Sequence, residues 1–297
     1  MTNKMTETNK WECISPENGY GKVKLTSWQY FLEFVYEEML DYETYIWRGQ
    51  RCSHWELEST LDRLIKKAKI KKTKHYDFAE KHLEQFKYAV RGRRGASPTV
   101  IQNENDWWAL GQHHGLFTPL LDWTLSPFVA AYFAFIDTGD TGEKQTKYRA
   151  VYALHKPSIE TKVKDIIREA ETTRQQEKED IKAGKKKVVN FLRKAMLDFP
   201  IKSQVEFIRP LSDENHRLVN QGGLFTRIPS GKTLDSWVKE HFKDDKDYTL
   251  IKILIPDSDR EQCLRTLNRM NINHLSLFPD LYGASKFCNL FGEIEKY

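Results

Sequence analysis

The 297-residue sequence holds only four cysteines. Cys13, Cys52, Cys263 and Cys288 stand far apart with no Cys-x-x-Cys pair, so their spacing suggests neither a disulfide framework nor a zinc knuckle. They are expected to be reduced, partly buried thiols. No apolar run reaches the roughly 18 uncharged residues that a membrane span needs. Residues 1–11 are polar and lack the apolar core of a signal peptide. Together these absences lead to the expectation of a cytoplasmic protein with no membrane partner. Gly-x-Gly-x-x-Gly, Gly-x-x-x-x-Gly-Lys-Ser/Thr, His-Glu-x-x-His and Gly-x-Ser-x-Gly are also missing. That removes Rossmann, P-loop, zincin and α/β-hydrolase readings at the level of motifs. No internal repeat or Gly/Ser-rich linker divides the chain.

With 39% hydrophobic and 12% aromatic residues the chain can bury one large or two small cores. The net charge of +5 is mildly basic and does not by itself identify a polyanion binder. The charge is clustered, however. Arg63, Lys66, Lys67, Lys69, Lys71, Lys72 and Lys74 crowd one segment, and Lys185, Lys186 and Lys187 another. Aromatic residues for base stacking are not interleaved with these lysines, which favours solvated helix faces over a nucleic-acid surface.

Hydrophobic periodicity predicts a mixture of helices and strands. Trp28, Phe31, Leu32, Val35 and Met39 follow helical spacing behind a Thr26 or Ser27 cap. Tyr45-Ile46-Trp47-Arg48-Gly49-Gln50 reads as a short strand ending in an Arg-Gly turn. Helices are expected around 56–70 and 75–91, and another from Asp106. Residues 120–124 fit a strand. Ser126-Pro127 is an N-cap followed by proline at the first helical position, opening a helix over 128–135 that is apolar all round and therefore internal. Further strands are expected at 148–154, 203–208, 224–228 and 248–255, and a helix at 258–270. The fold class is α+β, a single mixed domain with a small central sheet decorated by helices. The expected layout is an N-terminal tail over 1–25 and a domain over 26–297, with a charged helical insertion at about 159–198.

The apolar run over 110–135 raises the functional question, because it contains Gln112, His113, His114, Asp122, Thr124 and Ser126. A buried polar group without a partner costs about 1–3 kcal/mol, so each of these is paired internally or faces a ligand. Arg48 can be a structural ion pair, a carbonyl clamp or a bidentate phosphate ligand, with Gly49 allowing close approach to the backbone. Asp122 can cap the helix that begins at 127 or pair with Arg48. His113 and His114 are adjacent and point in different directions, and with no third ligand at metal spacing no metal is expected.

Three stretches resemble the FRG-domain family: Tyr45-Ile46-Trp47-Arg48-Gly49-Gln50, then Gln112-His113-His114-Gly115-Leu116-Phe117-Thr118-Pro119-Leu120-Leu121-Asp122-Trp123-Thr124-Leu125-Ser126-Pro127, then Asn220-Gln221-Gly222-Gly223-Leu224-Phe225-Thr226. Phe117 and Pro119 depart from the proline and arginine of the family pattern. The resemblance implies a bacterial or phage protein of the kind associated with anti-phage defence and toxin-like effectors. In order the motifs are also similar to the arginine–serine–glutamate class of ADP-ribosyltransferases, which implies that fold for the sheet and NAD as substrate or ligand. On that likeness Arg48 grips the diphosphate, Thr124 and Ser126 brace the nicotinamide ribose, and Gln221 stands where the class has its glutamate. Glu206 or Asp122 would then supply the missing negative charge, or the domain would bind a nucleotide without turning it over. Gln50, Gln112, His113, His114, Gly222 and Phe225 are expected to complete the ligand site. A non-catalytic module that binds nucleic acid or protein is the alternative, and a nuclease acting through His114 and Asp122 the third reading.

Overall fold

The computed structural model describes residues 9–95, 98, 100–139, 146–183, 204–210 and 220–297. Its strands are β1 (Trp11–Glu17), β2 (Tyr20–Leu25), β3 (Tyr45–Gln50), β4 (Leu120–Thr124), β5 (Tyr148–His155), β6 (Glu206–Ile208), β7 (Gly223–Arg227) and β8 (Leu250–Pro256). The helices are α1 (Gln29–Phe34), which runs on into one π-helical turn at Val35–Met39, α2 (Thr60–Lys67), α3 (His75–Ala89), α4 (Glu104–His113) and α5 (Pro127–Ile136). They continue with α6 (Lys156–Lys182), α7 (Leu234–His241), α8 (Arg260–Arg269), α9 (His274–Leu277) and α10 (Leu281–Glu293).

Among the described residues eight strands join one sheet in the order β1-β2-β8-β5-β3-β4-β7-β6. Every neighbouring pair is antiparallel except β2 and β8. The central strands β5 and β8 are covered on both faces, which is why they read as near-continuous apolar runs. Their side chains alternate between two cores. Val151, Ala153, Ile251 and Ile253 face the core built with α1, α5 and α8, whereas Ala150, Tyr152, Leu154 and Leu250 face the core built with α7 and the start of α6. A third cluster packs Leu61, Leu83 and Trp108 from α2, α3 and α4 against Leu120 and Phe225.

The expected α+β class is what the chain adopts, but the sheet is wider than the small one anticipated. Residues 11–25, read as part of a tail, form β1 and β2, and β2 lies against the central strand β8. Val23 and Leu25 supply the hydrophobic reward for that pairing, at 2% and 1% exposure. The charged insertion begins as a single helix, α6, anchored by buried Ile159; its remainder at 184–198 and the Lys185–187 cluster lie outside the described residues. The segment after 270, unread in the sequence, forms α9 and α10.

Helix α5 is buried throughout its middle, as its composition requires: Ala130, Ala131, Tyr132, Ala134 and Phe135 are fully inaccessible. Ser126 accepts from the Val129 amide at 3.3 Å and caps its start. Its C-terminal carbonyls are satisfied by two arginines from other elements. Arg149 donates to the Ala134 and Asp137 carbonyls and pairs with Asp257, and Arg260 donates to the Phe135 and Ile136 carbonyls.

Gly49 does not end β3 in a turn. It is paired with Val151 inside the strand, and α5 lies directly on it. A Cβ there would fall against the Ala130 carbonyl oxygen and 2.5 Å from the Ala134 amide nitrogen. The glycine is therefore a packing requirement of α5, and it also lines the cavity between α4 and α5. Because the obstructing atoms are helix backbone, Gly49→Ala is expected to cost about 3 kcal/mol or more, read as a lower urea midpoint. A midpoint within error of the parent would show that α5 can move off the sheet.

Candidate functional site

The conformation of β3 and β4 creates the site. The two strands meet at one registered pair, Trp47 opposite Thr124, and then separate. Asp122 and Thr124 alternate with Leu121 and Trp123, whose side chains enter the core shared with α7. They accordingly face the other side of the sheet, toward α4 and α5. A cavity of about 430 Å³ occupies that space. Arg48, Gln112, His113, Asp122, Thr124 and Gln221 supply its polar wall, with Phe133, Phe225 and Phe278 as its main aromatic surfaces.

The polar residues of the 110–135 run find their partners in one another. The Thr118 hydroxyl, fully buried, donates to Gln112 Oε1 and so orients the amide. Gln112 Nε2 then donates to both Asp122 carboxylate oxygens, at 3.0 and 2.9 Å. Arg48 Nη1 donates to the Asp122 carbonyl at 2.7 Å and reaches its carboxylate at 3.4 Å. Thr60 ties Thr118 to α2, its Oγ1 accepting from the Thr118 amide and donating to the Thr118 carbonyl. The chain Thr60, Thr118, Gln112, Asp122, Arg48 thus fixes a carboxylate that remains 57% exposed. With that exposure the ion pair contributes little stability; its effect is to orient both groups.

One donor in the network is left over. Arg48 Nε is buried and has no hydrogen-bond partner among the described residues. Arg63 lies close enough that Arg48's charge adds to burial in pushing the Arg63 guanidinium below its usual pKa.

The remaining expected residues divide clearly. Thr124 lines the cavity, but its hydroxyl donates to the Gln221 carbonyl at 2.6 Å and accepts from the Ser126 amide, so it organises backbone. Ser126 is the α5 cap, which also removes the reading of Asp122 as that cap. Gln221 lines the cavity while its Nε2 donates to the Leu277 carbonyl at 3.2 Å, and Asn220 does the same to Ser276. Gly222 adopts the left-handed φ of +55° at the turn into β7. Gln50 points away, its Nε2 on the Glu56 carbonyl, and His114 is exposed outside the lining with its ring against His113. Glu206 sits on edge strand β6, exposed, holding Asn105 at 3.4 Å. With β7 between it and β4, Glu206 is not brought to the cavity, and Asp122 is the carboxylate that is. No group of three or more His, Cys, Asp or Glu side chains able to hold a metal occurs among the described residues.

Phe133 and Phe278 were not anticipated. Phe133 lies within the Val129-Ala130-Ala131-Tyr132-Phe133 stretch, where helical spacing from Ala130 gives it the cavity face. Phe278 follows α9, whose reciprocal Asn273–Ser276 capping box is legible as Asn-x-x-Ser.

Residues 43–143, about a third of the chain, match the family model of the FRG domain. No curated protein and no solved structure matches the chain. The protein is thus an α+β chain carrying an FRG domain, in a segment that runs from just before β3 to just beyond α5. That segment supplies Arg48, Gln112, Asp122 and Phe133; Gln221, Phe225 and Phe278 reach the cavity from outside it. Among the described residues no helix is long and apolar enough to cross a membrane.

Phe278 is positioned through His274, on which its ring stacks at 5.0 Å. His274 is buried at 7% exposure and its Nδ1 lies 2.6 Å from the Tyr132 hydroxyl of α5. Burial, reinforced by the charge of Lys286, lowers its pKa from 6.5 to about 4. The folded state therefore resists a proton that the unfolded chain accepts. Stability should be unaffected by His274 above pH 6.5 and should fall as pH drops from 6.5 toward 4, by at most about 3 kcal/mol. Urea titrations of the parent and of His274→Gln across that window check this: the difference between them should shrink toward acid pH. A constant difference would mean that His274 does not titrate with unfolding.

Proposed function

We propose that the cavity binds a nicotinamide dinucleotide and that the protein cleaves it or transfers its ADP-ribosyl group. The observation that carries this reading is the state of Arg48. Its Nη1 is held by Asp122, its Nε has no partner among the described residues, and the residue lines the cavity, which leaves the guanidinium donor capacity for the oxygens of a diphosphate. Phe133, Phe225 and Phe278 offer flat apolar surface for a nicotinamide or adenine ring. Asp122, oriented by Gln112 and Arg48 and lining the cavity, is the carboxylate this reading assigns to the ribose. As the glycosidic bond breaks, its electron pair leaves with nicotinamide and positive charge grows at the ribose carbon. A fixed carboxylate stabilises that charge more than it stabilises bound substrate. Water or an acceptor nucleophile then takes the ribosyl carbon. Consumption of NAD is an action suited to a toxin-like effector in anti-phage defence, the role the FRG resemblance implies.

Release of nicotinamide from NAD, measured beside NAD binding by calorimetry, tests the assignment. Asp122→Asn is expected to lower kcat about a hundredfold with little change in affinity. Arg48→Lys should weaken binding about tenfold, because a point charge cannot replace the fork. A parent protein that neither binds nor cleaves NAD would overturn the reading.

A second reading, binding of nucleic acid, is favoured by one surface. On and beyond α3 the Arg91 guanidinium lies 3.7 Å from the Tyr88 ring centroid, and Lys87 and Arg94 approach Trp107. Tyr88 is 67% exposed, and the lysines of 66–74 are exposed nearby in sequence. Cations beside exposed rings suit single-stranded bases. Replacing Lys66, Lys67, Lys71 and Lys72 by Gln should leave NAD turnover unchanged. If this surface binds single-stranded RNA, the same change should weaken that binding and flatten its salt dependence; equal binding by parent and variant would dismiss it.

A further inference from the structure

A second cavity of about 440 Å³ shares no lining residue with the first. It lies where the π-helical turn after α1 passes the starts of β3 and β8 and the end of β5. Tyr42 and Tyr45 present rings at 88° to one another, centroids 6.0 Å apart, as two perpendicular walls. The Tyr45 hydroxyl is committed, donating to the Tyr248 carbonyl at 2.5 Å, and burial raises its pKa to about 12, so the ring stays neutral. Phe34 and Tyr248 add further aromatic surface.

Charge in this cavity has one sign. Glu38 and Asp247 line it, and no ion pair engages either among the described residues. No lysine or arginine lines it, and His155 is held toward its neutral form by burial. Glu38 is delivered by the π-helical turn, an irregularity that widens a helix and often accompanies function. One further group waits for a partner. The Thr249 hydroxyl is buried, the residue being 1% exposed, and makes no hydrogen bond, although the backbone N–H and C=O of Thr249 are both satisfied.

We propose that this cavity binds a small organic cation bearing a hydroxyl, an amino alcohol of the choline type. The onium group would sit against the faces of Tyr42 and Tyr45, where the ring quadrupoles attract it, with Glu38 and Asp247 balancing its charge. Its hydroxyl would pair with Thr249. An anion is disfavoured by the two carboxylates, both exposed, and a neutral apolar ligand would gain nothing from them.

The experiment is calorimetric titration of the full chain with choline chloride, tetramethylammonium chloride and the neutral isostere 3,3-dimethyl-1-butanol, at constant ionic strength. Choline is expected to bind about tenfold more tightly than the neutral alcohol. Tyr42→Ala and Glu38→Gln alter exposed side chains and should keep the parental Tm while lowering choline affinity severalfold. Thr249→Val should reduce affinity for choline and not for tetramethylammonium. Asp122→Asn, in the other cavity, should bind choline as the parent does. Failure of choline to bind, equal affinity for the neutral isostere, or unchanged affinity in Tyr42→Ala would each overturn the proposal.

Discussion

A helix with no polar face can exist only where other elements complete it, and α5 imposes that condition on the whole molecule. Its side chains are buried on all sides, so the sheet, α1, α8 and the C-terminal segment must all close around it. Its ends cannot reach water freely, and four C-terminal carbonyls left bare inside a core would each cost about 1–3 kcal/mol. Arg149 from β5 and Arg260 from α8 answer that need. Each arginine is in turn charge-balanced, by Asp257 and Glu293 respectively. Gly49 is the matching condition on the other side: only a residue without Cβ lets the helix backbone lie on β3.

The site follows from the same packing. Drawing α5 onto β3 leaves α4 to cover β4, and the gap between the two helices becomes the cavity. Polar side chains on its floor then need partners, and the chain from Thr60 to Arg48 supplies them one by one. The network has five members from α2, α4, β3, β4 and the turn before β4, so no local segment can form it alone. Its outcome is a partly exposed carboxylate held by a neutral amide on one side and a guanidinium on the other. Such a group stays in place without surrendering access, the condition for acting on something that enters.

Much of this was legible in the sequence because local rules and tertiary demands agreed. The Ser126-Pro127 start of α5, the strand at Tyr45–Gln50 and the even apolar strands 148–155 and 250–256 follow from capping, alternation and composition alone. The polar interruptions in 110–135 mark residues that the fold gathers into one network beside the cavity, since apolar packing gave no reason for Gln112, Thr118 and Asp122 to be there. What sequence left ambiguous was direction. Arg48, Gly49 and Gln50 are consecutive on a strand, yet Arg48 reaches Asp122, Gly49 meets α5, and Gln50 turns to Glu56. Choosing Asp122 over Glu206 required the order of strands, because both precede or follow similar apolar residues, and β4 borders the cavity whereas β6 does not. The roles of β1 and β2 were hidden for a different reason: β1 is exposed along most of its length, and β2, although it alternates, finds its partner β8 far along the chain, Tyr20 lying opposite Leu250.

Long-range closure also explains why the FRG segment and the site are not the same thing. Residues 43–143 hold the carboxylate, its orienting amide and the guanidinium, but the far wall is built by Gln221, Phe225 and Phe278. Asn220 and Gln221 donate to the carbonyls of α9, while His274 on that helix meets Tyr132 of α5. The C-terminal segment is thereby fastened to the same helix on which β3 rests. Taken without that segment, α5 would expose part of its apolar surface and the cavity would lose one aromatic wall. The FRG segment therefore supplies the charged and amide groups of the cavity, and the rest of the chain shapes its far wall.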